Sequence, residues 1–194
     1  MFRYSSVYCL FISSLFSSVG PGGFHAYKNP VFVETGTYKG EGIAKALEAG
    51  FSRIYSVESY FPFFTKAQSK FRRYPSVKLI HGDSAFALRV LIEKIDEPIT
   101  FWLDAHSVYD NREKPWIKNS PILDELEQIK LHPIKHHTIL VDDMDLCGGY
   151  LFDGVTLQDI KSKILEINPN YKFKFIDGGL DGRFKDNILV AQVF

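Results

Sequence analysis

Acids, glycines and one histidine recur immediately after short apolar runs in this chain, and their types bound the chemistry they can do. The first run ends in Glu34-Thr35-Gly36-Thr37-Tyr38-Lys39-Gly40. Gly36 and Gly40 let the backbone turn sharply and approach a bound molecule closely. The spacing is G-x-x-x-G after an acid, not the G-x-G-x-x-G of a pyrophosphate-binding loop. Glu58 closes the second run, roughly 20 residues on, where a carboxylate can accept hydrogen bonds from both hydroxyls of a ribose. The third run ends in His81-Gly82-Asp83-Ser84. Asp83 is suited to cap a following helix, or to accept from an adenine amino group, and one position allows both. Asp104 and His106 follow FWL, and Asp142 and Asp143 follow ILV. Three carboxylates brought together offer hard oxygen ligands suited to Mg²⁺, Ca²⁺ or Mn²⁺. His106 titrates near neutral pH (its ordinary pKa is ~6.5) and suits a general base, a role Asp104 could also fill.

The elements that must position these residues alternate regularly. Val31–Thr35, Arg53–Glu58, Ser76–His81, Ile99–Asp104 and His137–Asp143 read as strands. Helical patterns lie between and after them, over Gly40–Ala49, Phe61–Arg73, Ser84–Ile95, a segment opened by Ser120-Pro121, and Thr156–Ile167. Ser120 is expected as the N-cap of the fourth helix, with Pro121 in its first turn. Thr156 with Asp159 forms a capping-box-like pair. Two strands close the chain, Tyr171–Ile176 and Asn187–Phe194, joined through Gly178, Gly179 and Gly182. With no helix between them they are expected as an antiparallel hairpin. The pattern predicts an α/β fold: a mostly parallel seven-stranded sheet, a C-terminal antiparallel hairpin and helices on both faces. Every acid named above then falls at the carboxyl edge of the sheet, where open α/β sheets bind ligands.

In order, E-x-G-x-x-x-G, the acid after strand two and G-D after strand three, together with the closing hairpin, resemble the class I S-adenosylmethionine (SAM)-dependent methyltransferases over about Val31 to Phe194. The resemblance implies a Rossmann-like methyltransferase fold and methyl transfer from SAM. It places Glu34, Gly36, Thr37, Gly40, Glu58, Asp83, Ser84 and Asp104 around the cofactor, with Glu34 as the carboxylate for the donor's ammonium, directly or through water. The Asp after strand four and the acidic pair after strand five are similar to the macrocin-type metal-dependent sugar O-methyltransferases. By that resemblance Asp104, Asp142 and Asp143 hold a divalent ion, Mg²⁺ first, and Asp104 or His106 is the base. The implied acceptor is a small hydroxylated compound such as a sugar or glycan end. The chain departs from that family in reading D-A-H after strand four and in lacking its larger N-terminal region.

Composition narrows the partners. Twenty-three basic and 23 acidic residues leave a net charge of zero, which gives no field to draw in nucleic acid. The 45% hydrophobic content suffices for one well-filled domain. That domain is expected over residues 24–194, preceded by an apolar, serine-broken segment over 1–23. The segment is signal-like but too short and too Ser-rich for a stable membrane span, and reads first as a packed helix. A SAM enzyme is expected in the cytoplasm. Oligomeric state is not written in the sequence. Cys9 and Cys147 form no disulfide framework or zinc spacing. The long loop over 107–119 holds Tyr109 and Trp116, suited to stack on a sugar, and Arg112, Lys114 and Lys118, suited to an anion. His132, His136 and His137 precede strand five at the opposite sheet edge and are expected to be structural.

Three other readings compete with this one. A haloacid-dehalogenase-like phosphatase needs a D-x-D nucleophile pair on its first strand, which is absent. A nicotinamide oxidoreductase fails on the missing glycine fingerprint and on the closing hairpin. A methyltransferase scaffold that binds SAM or a partner without turnover remains the alternative.

Overall fold

The computed structural model describes residues 19–20, 22–107, 118–179 and 182–194. Tyr109, Arg112, Lys114, Trp116 and Cys9 lie outside the described residues. The strands are β1 (Val31–Thr35), β2 (Ile54–Glu58), β3 (Val77–His81), β4 (Ile99–Leu103), β5 (Thr138–Val141), β6 (Lys172–Gly178) and β7 (Phe184–Gln192). The helices are α1 (Glu41–Glu48), α2 (Phe61–Phe71), α3 (Ser84–Ile92), α4 (Ile122–Leu131) and α5 (Leu157–Ile167). One seven-stranded sheet runs in the order β3-β2-β1-β4-β5-β7-β6. β1 to β5 pair in parallel, and β7 is antiparallel to both β5 and β6.

Period-two alternation on the central strands explains the two layers of helices. Val31 and Val33 of β1, with Ile99, Phe101 and Leu103 of β4, face the core shared with α3, α4 and α5. Phe32 and Trp102 point the opposite way, into the core made with α1, α2 and Phe24. β1 and β4 are buried on both faces, which is why both read as unbroken apolar runs. Val19 is buried beside Phe24 and bridges to Gly178 of β6, so packing of this domain begins before residue 24. None of the helices among the described residues is long and apolar enough to cross a membrane.

The element ends fall within three residues of expectation, and two of the shifts have a visible cause. α4 starts at Ile122, with Pro121 in the cap position; Ser120 Oγ accepts only a long bond, 3.4 Å, from the Ile122 N–H. The backbone N–H groups of Asn119 and Ser120 both donate to the Asp153 carboxylate, which holds the loop out of the helix by one further residue. β7 begins three residues before Asn187, because Asp177 ties the hairpin end through Lys185 Nζ and the Asp186 N–H. The capping box of α5 forms as the sequence implies, with Thr156 and Asp159 bonding each other's backbone N–H.

Candidate active site

The neighbours of β1 are β2 on one side and β4 on the other, so the chain reverses its winding there and leaves a crevice at the carboxyl ends. A cavity of about 390 Å³ occupies that crevice, lined by Gly36, Glu58, Asp83, Ser84, Asp104 and His106 among others. Residues contributed after four successive strands therefore converge on one space.

Glu58 is the most firmly fixed of them. Its Oε2 accepts from the Tyr38 N–H at 2.8 Å and its Oε1 from the Tyr60 N–H at 2.7 Å. Each oxygen keeps lone pairs for a ligand hydroxyl. Tyr38, Tyr60 and Phe63 stack edge to face beside the carboxylate and form an aromatic wall on the cavity. Asp83 caps α3, its carboxylate accepting from the Phe86 N–H at 3.2 Å, while still facing the cavity.

The glycines act through backbone clearance. Gly36 has φ +81°, and a Cβ there would lie 2.4 Å from the carbonyl oxygen of Asp104. Any side chain would therefore push apart the two loops that bracket the crevice. Gly40, at φ +76°, opens α1 and would collide with the Phe71 ring; it shapes the loop without facing the cavity.

Glu34 stands elsewhere than the sequence implied. Its carboxylate is 1% exposed and lies under α1, bonded by the Ser56 hydroxyl, with Oε1 so close to Gly42 that no Cβ fits between. It does not line the cavity, so in this conformation it cannot meet an ammonium directly. Burial pushes its pKa up to about 8 against the opposing Ser56 bond. Thr37 joins the same buried group through Ser56, so Glu34 and Thr37 brace the glycine loop from beneath.

At the ends of β4 and β5 the ligand atoms of Asp104, His106 and Asp143 lie within 4.8 Å of one another. Asp142 is not in that group: its Oδ1 accepts from the Asp143 N–H at 2.9 Å. That bond accompanies a left-handed turn at Asp143, φ 56°, which sends the Asp143 side chain toward His106 instead. His106 Nε2 lies 2.8 Å from Asp143 Oδ2, and Nδ1 3.2 Å from the Ser107 carbonyl. Both ring nitrogens thus face acceptors, an arrangement that favours the imidazolium. Burial opposes that charge, but the hydrogen bond and charge of Asp143 outweigh it, and the His106 pKa is raised.

Two residues of this site are missed by the sequence reading. Asn187, on β7, donates to Asp143 Oδ1 at 3.3 Å and accepts from the Asp145 N–H at 3.0 Å. Glu125, on α4, is 1% exposed, and neither carboxylate oxygen has a hydrogen-bond partner among the described residues. It borders a second void of about 10 Å³, shared with Asp104, His106 and Asp142, the size of one water. Glu125 could have been suspected as an acid on the otherwise apolar face of Ile122, Leu126 and Ile129. Asn187 could not, since only the hairpin register brings it there.

No protein-family model matches the sequence, and no curated protein matches it either. Solved structures do. The O-methyltransferase of Bacillus cereus, in complex with S-adenosylhomocysteine (SAH), superposes with a TM-score of 0.58 at 17% identity, covering 88% of this chain and 77% of that one. The chain carries the class I methyltransferase fold. The SAH-bound methyltransferase PaMTH1 of Podospora anserina gives a TM-score of 0.57 at 14% identity, with 88% and 74% covered. TomG of Streptomyces achromogenes, an O-methyltransferase of tomaymycin synthesis in complex with SAM, gives 0.56 at 16%, with 88% and 75% covered. The sheet order, with β7 reversed between β5 and β6, is the part of this methyltransferase fold that the closing hairpin of the sequence had implied.

Proposed function

We propose that the protein is a SAM-dependent O-methyltransferase acting on a small hydroxylated acceptor, with a sugar or glycan end as the favoured class. The observation that carries this reading is the Glu58 carboxylate, held by two backbone N–H groups on the wall of a cavity that Gly36 and Asp83 also line. The bound cofactors of the neighbouring folds support it. In this reading Glu58 accepts from the ribose, the aromatic wall of Tyr38, Tyr60 and Phe63 lies beside it, and Asp83 and Ser84 meet the adenine end. Gly36, Thr37 and Gly40 shape the loop, and Glu34 supports it from below. SAM, when bound, supplies an electrophilic methyl carbon on a sulfonium, so the protein must mainly align the acceptor and remove its proton.

His106 is the base. The base form is the neutral ring: Asp143 holds Nε2–H, and Nδ1, once it leaves the Ser107 carbonyl, takes the hydroxyl proton. Asp143 then stabilises the imidazolium that forms, and the raised pKa makes the rate rise with pH. Asn187 orients Asp143. Asp104 lines the cavity beside them and is placed to hold the acceptor.

A divalent ion is a second reading, carried by the grouping of Asp104, His106 and Asp143. These three would hold it, with Asp142 fixing the Asp143 turn instead of serving as ligand. The imidazole makes this set better suited to Mn²⁺ or a later transition ion than to Mg²⁺. Such an ion would lower the pKa of the acceptor hydroxyl. The non-catalytic scaffold remains the rival to both readings. A cytoplasmic site of action belongs to this proposal as well, while the domain expected from residue 24 includes Val19.

Calorimetric titration with SAH tests the reading. Micromolar binding is expected, and Glu58→Ala should weaken it by about 10-fold or more. Unchanged affinity in the variant would remove Glu58 from the cofactor site. Activity that survives EDTA would exclude the ion, and binding without turnover on any hydroxylated acceptor would favour the scaffold.

A further inference from the structure

His106 sits in the segment Asp104-Ala105-His106 that leaves β4, and the backbone of that segment is anchored on either side. The Asp104 N–H donates to the Thr35 carbonyl of β1 at 3.2 Å, and the Ser107 N–H donates to the Asn119 carbonyl at 2.6 Å. The first anchor belongs to the sheet. The second depends on Asn119, at the far end of the connection to α4, which is 4% exposed and lines the cavity. The Ser107 N–H belongs to the planar peptide that joins it to His106, so this bond fixes the direction in which the His106 backbone presents its ring.

Asn119 is held in turn by Asp153. The Asp153 carboxylate accepts from the Asn119 N–H at 2.8 Å and the Ser120 N–H at 3.1 Å through Oδ2, and from Asn119 Nδ2 at 2.7 Å through Oδ1. Asn119 Nδ2 also donates to the Tyr150 carbonyl, at 3.3 Å. These bonds fall before α4, so they are not a cap on its first turn; two of them grip the residue whose carbonyl holds Ser107. Bonds to an ionised carboxylate are the stronger kind, and two on one residue fix its orientation as well as its place. A left-handed backbone, φ 52°, aims Asp153 at Asn119 from the end of a short helical turn over Tyr150–Phe152. Phe152 of that turn is buried and faces the His106 ring, with centroids 6.3 Å and planes 33° apart. The same turn thus reaches His106 at the ring, through Phe152, and at the backbone, through Asp153, Asn119 and Ser107.

We infer that Asp153 is a positioning residue for His106, acting through the two bonds that fix Asn119, while Phe152 of the same turn steadies the ring. Its bearing on methyl transfer rests on His106 as the base proposed above, where a displacement of about 1 Å can cost about 100-fold in rate. The placement itself is independent of that reading. Asp153→Asn separates the bonds from the backbone. Asparagine adopts the left-handed conformation readily and keeps the shape, but its amide NH2 faces the NH2 of Asn119, donor against donor.

Proton–carbon NMR of the histidine rings in the full chain tests this without an acceptor, the His106 peak being the one missing from His106→Ala. In Asp153→Asn that peak should shift and broaden as the ring samples more than one position. The peaks of His132 and His137, at the opposite edge of the sheet, should stay in place. SAH affinity by calorimetry should stay within about twofold, because Glu58, the proposed cofactor contact, is untouched. Adding Asn119→Asp to Asp153→Asn restores the pair with donor and acceptor exchanged, and should return the His106 peak most of the way to its wild-type position. An unmoved His106 peak in Asp153→Asn would overturn the inference. So would movement of all the histidine peaks together, which would make Asp153 a general support of the fold. A double variant no closer to wild type than the single one would assign the effect to the lost charge and also overturn it. If the peak moves as expected while His106→Ala keeps its methyl-transfer rate, the base reading fails and the placement stands.

Discussion

Two groups of histidines stand at opposite edges of the sheet, and their proton chemistry runs in opposite directions. At the carboxyl edge both nitrogens of His106 face acceptors, Asp143 and the Ser107 carbonyl, and its pKa is raised. At the amino edge His137 Nδ1 accepts from the Ile99 N–H at 3.1 Å, and its Nε2 lies 3.1 Å from His132 Nδ1. His132 Nε2 in turn lies 2.7 Å from the Ile95 carbonyl. With each Nε2 protonated, this relay from Ile99 to Ile95 is satisfied throughout by neutral rings. A second proton on His137 would face a backbone donor, and burial together with the nearby charges of His132 and His136 depresses its pKa to about 3. Residue type alone does not assign a histidine to chemistry. A carboxylate partner beside a cavity makes one ring a proton acceptor; a backbone donor in a dry corner makes the other a strut. His136 is exposed and outside this relay.

The comparison breaks most visibly at His106. Its replacement by Ala should lower the methyl-transfer rate by about 10²- to 10⁴-fold, the usual contribution of a positioned base. SAH affinity should stay within about twofold, because the cofactor contact proposed above is Glu58, not His106. A variant keeping more than about a tenth of the rate would strip His106 of the base role.

His137 should respond in stability and not in the reaction. Its folded pKa lies below the unfolded value of 6.5, so the unfolded chain binds the extra proton and stability falls as pH drops from 6.5 toward 3. By pH 4 the loss is about 3 kcal/mol, or roughly 6–12 °C of melting temperature for a chain this size. Thermal melts across that range should show the slope, and His137→Asn should flatten it while lowering stability near neutrality by leaving the Ile99–Ile95 relay incomplete. An unchanged slope in the variant would mean that another group drives acid unfolding.

Most of the architecture was legible in the sequence because it rests on local patterns. The β-branched and apolar runs of β1 and β4, the capping box at Thr156 and the glycine-rich hairpin connection all act within a few residues. The misplacements share a different origin. The start of α4 moved by one residue because Asp153, over thirty positions away, takes the N–H groups of Asn119 and Ser120. Glu34 was expected to meet the donor's ammonium directly or through water; the Ser56 hydroxyl and the close approach of Gly42 hold it under α1, off the cavity wall. Asp142 and His106 exchange places in the ligand grouping because Asp143 adopts a left-handed turn. Strand-end acids can be found from sequence; the direction each one points is set by partners on other elements.

Glu125 offers the finest test of that contrast, because it is an acid of the carboxyl edge without any of the partners that define His106. No hydrogen bond reaches its carboxylate among the described residues, and Thr35 Oγ1 is likewise unsatisfied. The Ser84 and Thr35 hydroxyls are near enough to oppose the effect of burial, yet neither closes a hydrogen bond, and burial raises the pKa from 4.5 to about 7. The folded state therefore holds the proton longer than the unfolded one. Stability is at its fullest below pH 4.5 as far as this group is concerned, and is lost as pH rises through 7, by about 3 kcal/mol. Glu125→Gln removes the titration and keeps the shape. At pH 8.5 the variant should melt roughly 6–12 °C above the wild type, with little difference at pH 5. A variant no more stable than the wild type at pH 8.5 would show that the ionised carboxylate finds solvation in the void it shares with Asp104 and His106. It would then belong with the polar groups of the site and not with the struts.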